Sequence, residues 1–158
     1  MNWPSWLLSG FIATIVLTTV SALAQGLGFT RMNIPYILGT IFTPDRDRAK
    51  VYGFLTHLGA GWGFSLFYAL LFESMGNAGW WRGAMIGTVH ATFALVVIFA
   101  VLPGAHPRMA SERHGPTAAK LLEPPGFMAL NYGTQTPIAV FISHILFGIV
   151  LGAFYHVR

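Results

Sequence analysis

The sequence predicts an all-α integral membrane protein with four transmembrane helices, and three observations support this prediction. Of the 158 residues, 54% are hydrophobic and only 9% are charged, whereas about 25% of the residues of a soluble domain are charged. The mean hydropathy is +0.61. The few charges leave several uninterrupted apolar stretches, each near the roughly 20 residues that a helix needs to cross a bilayer. An ordinary soluble fold is therefore excluded.

Four stretches have the required length. We expect one domain over residues 1–158, with helices at about residues 6–27, 50–72, 81–102 and 137–157. Tryptophan rings favour the headgroup level of a bilayer. The ends of these segments carry Trp3, Trp6, Trp80 and Trp81, which we therefore expect at the membrane interface.

The distribution of Lys and Arg predicts the orientation. Seven of the nine basic residues lie in or directly beside two long loops, residues 28–49 and 103–136. Because short cytoplasmic loops carry the excess of positive charge, both loops are expected to be cytoplasmic. Both chain termini and the turn between the second and third helices are then expected on the other side.

The basic residues also suggest partners. Arg46, Arg48 and Lys50 flank the second apolar segment and form no polar basic domain with interleaved aromatic residues. This placement favours anionic lipid headgroups and argues against nucleic acid.

Both long loops contain apolar stretches that are too short to span. Residues 30–42 are interrupted by Pro35 and Gly39, which predicts either an interfacial helix or a re-entrant piece packed against protein. In the second loop, several prolines precede residues 126–130, which we expect to lie in the headgroup plane.

The second and fourth helices repeat one pattern. Phe54, His57, Gly61, Phe67 and Tyr68 recur at the same spacing as Phe141, His144, Gly148, Phe154 and Tyr155. At about 100° per residue, the His, Gly and Tyr of each helix lie on one stripe. Two explanations remain open: a duplicated helical hairpin, or chance in a chain rich in Phe and Gly.

Small residues recur at a spacing that lets membrane helices approach closely. Three such G-x-x-x-G pairs are Gly59 with Gly63, Gly83 with Gly87, and Gly148 with Gly152. We expect all three pairs to form helix-packing surfaces, either within one chain or between chains.

His57, His90 and His144 lie in apolar segments, where an ionisable side chain usually turns toward a partner. The simpler interpretation is a neutral imidazole that is hydrogen-bonded to a neighbouring helix. The alternative is a cofactor site, for a b-type haem or another pigment, in which His57 and His144 are the axial ligands and Gly61 and Gly148 leave room for the macrocycle. His106 and His114 of the second loop are a weaker candidate for a surface metal, because no Cys and no nearby pair of carboxylates accompanies them.

The sequence offers no catalytic residues, and we expect no enzyme. There is no cysteine, which excludes disulfides, thiolate metal sites and iron–sulfur clusters. The six histidines and five acids are widely spaced, unlike the clustered ligands of a membrane di-iron hydroxylase.

Several strings of residues carry a resemblance to a known group of proteins. They are Arg31-Met32-Asn33-Ile34-Pro35, His57-x-x-x-Gly61, Trp81-Arg82-Gly83-Ala84, His106-Pro107-Arg108-Met109, Pro125-Gly126-Phe127 and Tyr132-Gly133-x-x-Thr136-Pro137. The chain resembles an uncharacterised family of bacterial four-helix integral membrane proteins, a domain of unknown function. The resemblance implies a multi-pass protein of the bacterial cytoplasmic (inner) membrane, and implies no activity.

Taken together, these features favour an accessory or structural subunit of a larger bacterial membrane complex, of respiratory or photosynthetic type. Its expected partners are the lipid bilayer and other membrane subunits or further copies of itself, in contact through Gly-rich helix faces. Two alternatives are a haem-binding electron-transfer protein with His57 and His144 as ligands, and a small oligomeric transporter or channel.

Overall fold

The computed structural model describes all 158 residues, which form helices and loops without a β-strand. Eight helical elements follow one another along the chain. They are α1 (Trp3–Gly26), α2 (Ile34–Gly39), α3 (Arg46–Ser74), α4 (Trp80–Phe93), a π-helical turn (Ala94–Ile98), α5 (Phe99–Ala105), a 3₁₀ helix (Phe127–Tyr132) and α6 (Thr136–Phe154). The prediction of an all-α fold is confirmed.

Four helical segments are long and apolar enough to cross a membrane. Three are α1, α3 and α6, and the other is the continuous helix over residues 80–105 that α4, the π turn and α5 form together. Each segment coincides with one of the four predicted spans. The prediction of four membrane-spanning helices is therefore confirmed at the level of length and apolar character.

Local capping moves two helix ends away from the predicted bounds. Helix α3 begins at Arg46 and not near residue 50, because the Asp45 carboxylate accepts a hydrogen bond from the backbone N–H of Arg48 at 2.8 Å. This is the contact of an N-cap residue. Helix α6 ends at Phe154 and not at residue 157, since the backbone becomes extended at Tyr155.

The spanning helices pack in the order α3, α1, α6, α4. Extensive contacts join α4 to α6, α6 to α1, and α1 to α3, whereas α3 touches α6 only slightly. Helices α3 and α4 are consecutive in the chain, yet their backbones make almost no contact. The gap between them is therefore bridged by side chains, which form the site described below.

The two long loops meet at one end of the helices. The Arg31 guanidinium pairs with the Glu123 carboxylate at 3.0 Å, and Arg108 donates to the backbone carbonyl oxygens of Thr40 and Ile41. Both loops therefore lie on one side, as predicted. The assignment of this side to the cytoplasm rests on the charge distribution and stays a prediction.

The opposite end gathers both termini and the turn between α3 and α4. Glu73 Oε1 accepts hydrogen bonds from the Tyr155 hydroxyl at 2.6 Å and from the backbone N–H of Asn2 at 3.0 Å. Burial, and next the hydrogen bond to Glu73, raise the pKa of the Tyr155 phenol to about 12. These contacts fix the ends of α1, α3 and α6 relative to one another.

The apolar part of the first loop forms α2, which packs directly against the start of α3. A Cβ atom on Gly53 would overlap the carbonyl oxygen of Pro35, and one on Gly39 would overlap the carbonyl oxygen of Ala49. The two backbones can touch only because both positions lack a side chain. Residues 34–39 therefore form a short helix that packs against protein, and the choice between an interfacial helix and a re-entrant piece stays open.

The second loop folds against the helices without forming an amphipathic helix. In the 3₁₀ helix, Met128 and Ala129 adopt left-handed backbone angles. Phe127 and Leu130 are exposed, while Ala129 is buried against the core. The predicted interfacial segment at residues 126–130 therefore presents two apolar side chains on a turn, not one face of a helix.

Candidate functional site: the intramembrane histidine cluster

Three imidazoles from three different spanning helices lie within the apolar part of the protein. They belong to His57 on α3, His90 on α4 and His144 on α6. All three side chains are partly buried. Because α3 and α4 are held apart, this region lies where the helix order α3, α1, α6, α4 leaves an opening.

The His90 and His144 rings are in direct contact. Their centroids are 4.7 Å apart and their planes are nearly perpendicular, at 88°. The aromatic residues Phe64 of α3 and Phe147 of α6 also lie against the His90 ring, at centroid distances of 4.5 Å and 6.2 Å. His90 is therefore the central residue of the cluster.

Tyr68 completes the bridge across the gap between α3 and α4. Its hydroxyl is 3.1 Å from Nδ1 of His90, and its ring packs edge-on against Phe147 at 5.3 Å. Tyr68 is almost completely buried. One hydrogen bond and a set of ring contacts thus replace the missing backbone contact between the two helices.

The hydrogen bonds determine which ring nitrogen of His144 carries the proton when the ring is neutral. Nδ1 of His144 lies 2.8 Å from the carbonyl oxygen of Val140. Because a carbonyl oxygen can only accept, this nitrogen must donate. The lone pair of His144 is therefore on Nε2, which has no partner within the chain.

The same reasoning fixes the neutral form of His57. The Thr18 hydroxyl donates to the carbonyl oxygen of Thr14 at 2.8 Å, so it accepts from Nδ1 of His57 at 3.2 Å. Nε2 of His57 then carries a lone pair. A fixed Nδ1–H with a free Nε2 is the arrangement that ligating histidines commonly have.

His57 and His144 make no direct contact with each other. No hydrogen bond or ring contact joins His57 to His144, and the His144 ring faces His90 instead. None of the five principal cavities is lined by a histidine of the cluster. The bis-histidine haem site accordingly stays a prediction.

The two glycines expected to make room for a macrocycle are occupied by helix packing. Gly61 lies against the Thr14 side chain of α1, and Gly148 lies against the backbone of Gly83 on α4. A neighbouring helix fills the space beside each glycine. Close helix packing and a macrocycle would need the same space, since both depend on the missing side chain. No group of three or more His, Asp or Glu residues is arranged to hold a metal ion.

Two of the three predicted glycine pairs face each other. A Cβ atom on Gly83 would overlap the carbonyl oxygen of Gly148, and one on Gly152 would overlap that of Gly79. A Cβ atom on Gly87 would likewise overlap the backbone carbonyl of His144. Helices α4 and α6 therefore touch backbone to backbone along this line.

The third glycine pair makes no contact within the chain. Gly59 and Gly63 are exposed, and no atom would lie within 4 Å of an added Cβ at either position. The face of α3 that carries them points away from the rest of the protein. This pair therefore does not form a packing surface within the chain, and packing between chains stays a prediction.

The predicted interface residues lie at the helix ends. Trp3, Trp80 and Trp81 are exposed at the end that carries the termini, whereas Trp6 turns inward and donates a hydrogen bond to Ser65 Oγ at 2.9 Å. Basic residues mark the opposite end of α3, where Arg46, Arg48 and Lys50 are exposed.

Sequence reasoning did not identify the pairing of His90 with His144 or the part played by Phe64. The repeated pattern directs attention to His57 and His144 and leaves His90 aside. A usable signal existed, since Phe64 and Tyr68 are four residues apart and therefore share one helix face. Which helix that face meets depends on the packing order, which periodicity does not encode.

Comparisons with known proteins give no relative from which a role can be transferred. No family model, no curated protein and no solved structure matches this chain. The resemblance to uncharacterised bacterial membrane proteins accordingly stays a prediction. Function must be argued from the residues and their contacts alone.

Proposed function

We propose that this chain is an accessory or structural subunit of a larger membrane complex, of respiratory or photosynthetic type, in a bacterial cytoplasmic membrane. The observation that carries the proposal is the outer face of α3. There, Gly59 and Gly63 lie at the spacing that lets helices pack closely, and nothing in the chain occupies them.

The surroundings of this glycine pair support a helical partner. Leu55 and Phe67 extend the same face, one helical turn before Gly59 and one after Gly63, and are 57% and 64% exposed. Two small residues between two large ones form a shallow hollow into which a ridge of another helix fits. A glycine that faces only lipid would weaken the helix without any gain in packing.

Helix α3 is also the least buried of the four spanning helices. In its most apolar 18-residue window only 17% of the residues are buried, against 28–33% in the other three spans. Within this chain, every glycine pair on α4 and α6 is used for backbone contact. If the pair on α3 also makes a close backbone contact, the contacting helix must belong to another chain, because no helix of this chain lies beside it.

The experiment is purification of the tagged protein at its natural expression level, followed by identification of the chains that migrate with it. We expect the wild-type protein to migrate in a complex with other membrane proteins. Gly59→Leu and Gly63→Leu should release it, because each side chain would fill the hollow. A matched control is Gly104→Leu, at a helical glycine that also has no neighbour within 4 Å.

The control variant should remain in the complex, and all three variants should show the thermal stability of the wild-type protein. A wild-type protein that migrates without other chains would contradict the proposal. A complex made only of copies of this chain would contradict it as well, and would favour the oligomeric alternative.

A further inference from the structure

A groove of about 540 Å³ opens between α1, α2 and α3. It lies at the end of the helices where the two long loops meet, and its lining includes both polar side chains and apolar ones. The histidine cluster does not contribute to it. Its lining combines a cation with hydrogen-bond donors that have no partner within the chain.

The two amide oxygens at the rim of the groove already accept hydrogen bonds. The Asn33 amide nitrogen donates to Gln25 Oε1 at 3.1 Å, and Asn33 Oδ1 accepts from the backbone N–H of Tyr36 at 2.9 Å. The Gln25 amide nitrogen and the Tyr36 hydroxyl have no partner within the chain. Both groups can donate to a ligand, and an anion accepts such hydrogen bonds.

Lys50 adds positive charge to the same rim. Its ammonium group contacts Asp47 at 3.0 Å, and both side chains are exposed. An ammonium group has three donors, so this pair leaves others free. Arg46 and Arg48 lie beside it on the first turn of α3 and are exposed as well.

The wall of the groove is apolar on the side of the spanning helices. Leu23 of α1 and Phe54 of α3 line it and are 58% and 42% exposed. A ligand that satisfies both parts has an anionic head and a hydrocarbon chain. A hydrophilic anion would leave the wall of the groove unfilled.

We propose that this groove binds an anionic phospholipid. Its phosphate lies among Lys50, Gln25 and Tyr36, and the first methylene groups of an acyl chain lie along Leu23 and Phe54. The charge of the groove complements the lipid, since the cytoplasmic leaflet carries anionic headgroups that attract basic residues. This inference is independent of the partner proposed for the face of α3.

The test measures binding of phosphatidylglycerol to the full chain in detergent by native mass spectrometry. Lys50→Gln should weaken binding by about fivefold, the effect expected of one basic residue near an anionic lipid surface. Gln25→Leu should also weaken it, because a phosphate donor is lost. Lys120→Gln removes the same charge from the second loop, outside the groove, and should bind like the wild-type protein.

Two further ligands show whether the groove recognises an anionic lipid, any phospholipid or free phosphate. Phosphatidylcholine, which has no net charge, should bind at least about fivefold more weakly than phosphatidylglycerol. Inorganic phosphate should not displace the bound lipid. Equal binding by Lys50→Gln and Lys120→Gln, equal binding of the two lipids, or displacement by inorganic phosphate would each overturn the proposal.

Discussion

The helix pair α1 and α3 and the helix pair α4 and α6 are assembled in the same register but by different contacts. In the first pair, Gly61 faces Thr14, and His57 is hydrogen-bonded to Thr18. In the second pair, Gly148 faces Gly83, and His144 faces Gly87. In both pairs, the histidine lies four residues before the glycine. Its contact on the partner helix lies four residues after the contact of that glycine, as antiparallel helices require.

The contacts themselves differ in kind. Helices α4 and α6 touch through backbone atoms, whereas α1 meets α3 through side chains such as Thr14 and Ser65. The comparison shows that a glycine on a membrane helix permits close approach without requiring it. The shared register agrees with a duplicated hairpin, which stays a prediction. The difference between the pairs can be tested by adding single methyl groups.

The largest effect is expected from Gly83→Ala. The new methyl group would overlap the carbonyl oxygen of Gly148, and a backbone atom cannot rotate away. We expect α4 and α6 to separate, with a loss of about 3 kcal/mol of unfolding free energy, measured by denaturation in mixed micelles.

The matched control for this variant is Gly63→Ala on α3. A Cβ atom added at Gly63 would meet no neighbouring side chain or helix within 4 Å. The unfolding free energy of this variant should therefore stay within about 0.5 kcal/mol of the wild-type value or rise slightly. If the two variants lost equal stability, the backbone contact between α4 and α6 would not be the cause.

A smaller loss is expected from Gly61→Ala in the first pair. The added methyl would lie 2.5 Å from Cγ2 of Thr14, and this side chain can shift by a small amount. We expect a loss of about 1 kcal/mol. The double variant Thr14→Ala with Gly61→Ala should recover most of it, and no recovery would show that the strain lies elsewhere.

Apart from the Gly63→Ala control, the smallest effect is expected from Thr18→Val, which removes the hydrogen bond to His57 and keeps the shape of the side chain. Hydrogen bonds between membrane helices contribute about 0.6 kcal/mol on average, and we expect a loss of that size. The ring of His57 should also lose its fixed tautomer, which ¹⁵N NMR of the imidazole would detect. An unchanged ¹⁵N spectrum would contradict the assignment of Nδ1 as the donor.

Much of the fold could be predicted from the sequence because apolar length is a local property. All four spans were located from runs of apolar residues, and the grouping of the two long loops followed from the charges that flank them. Helix ends were less predictable. The start of α3 depends on a single capping contact by Asp45.

The candidate site was only partly predictable. The sequence identified the three membrane histidines, yet it could not show that His144 meets His90, since ring contacts depend on the order in which helices pack. The same limit applies to the glycine pairs. Spacing alone cannot distinguish Gly83, which lies against a backbone, from Gly63, which lies against nothing.

The packing order also has a consequence for how this protein is made. The third span, residues 80–105, has its main neighbour in α6, which is synthesised after it. Until Thr136 and the residues after it are synthesised, Gly83 and Gly87 face lipid or a chaperone. The close backbone contact between α4 and α6 can therefore form only after α6 is synthesised, and a nascent chain cut short before α6 would lack the contact that holds the third span.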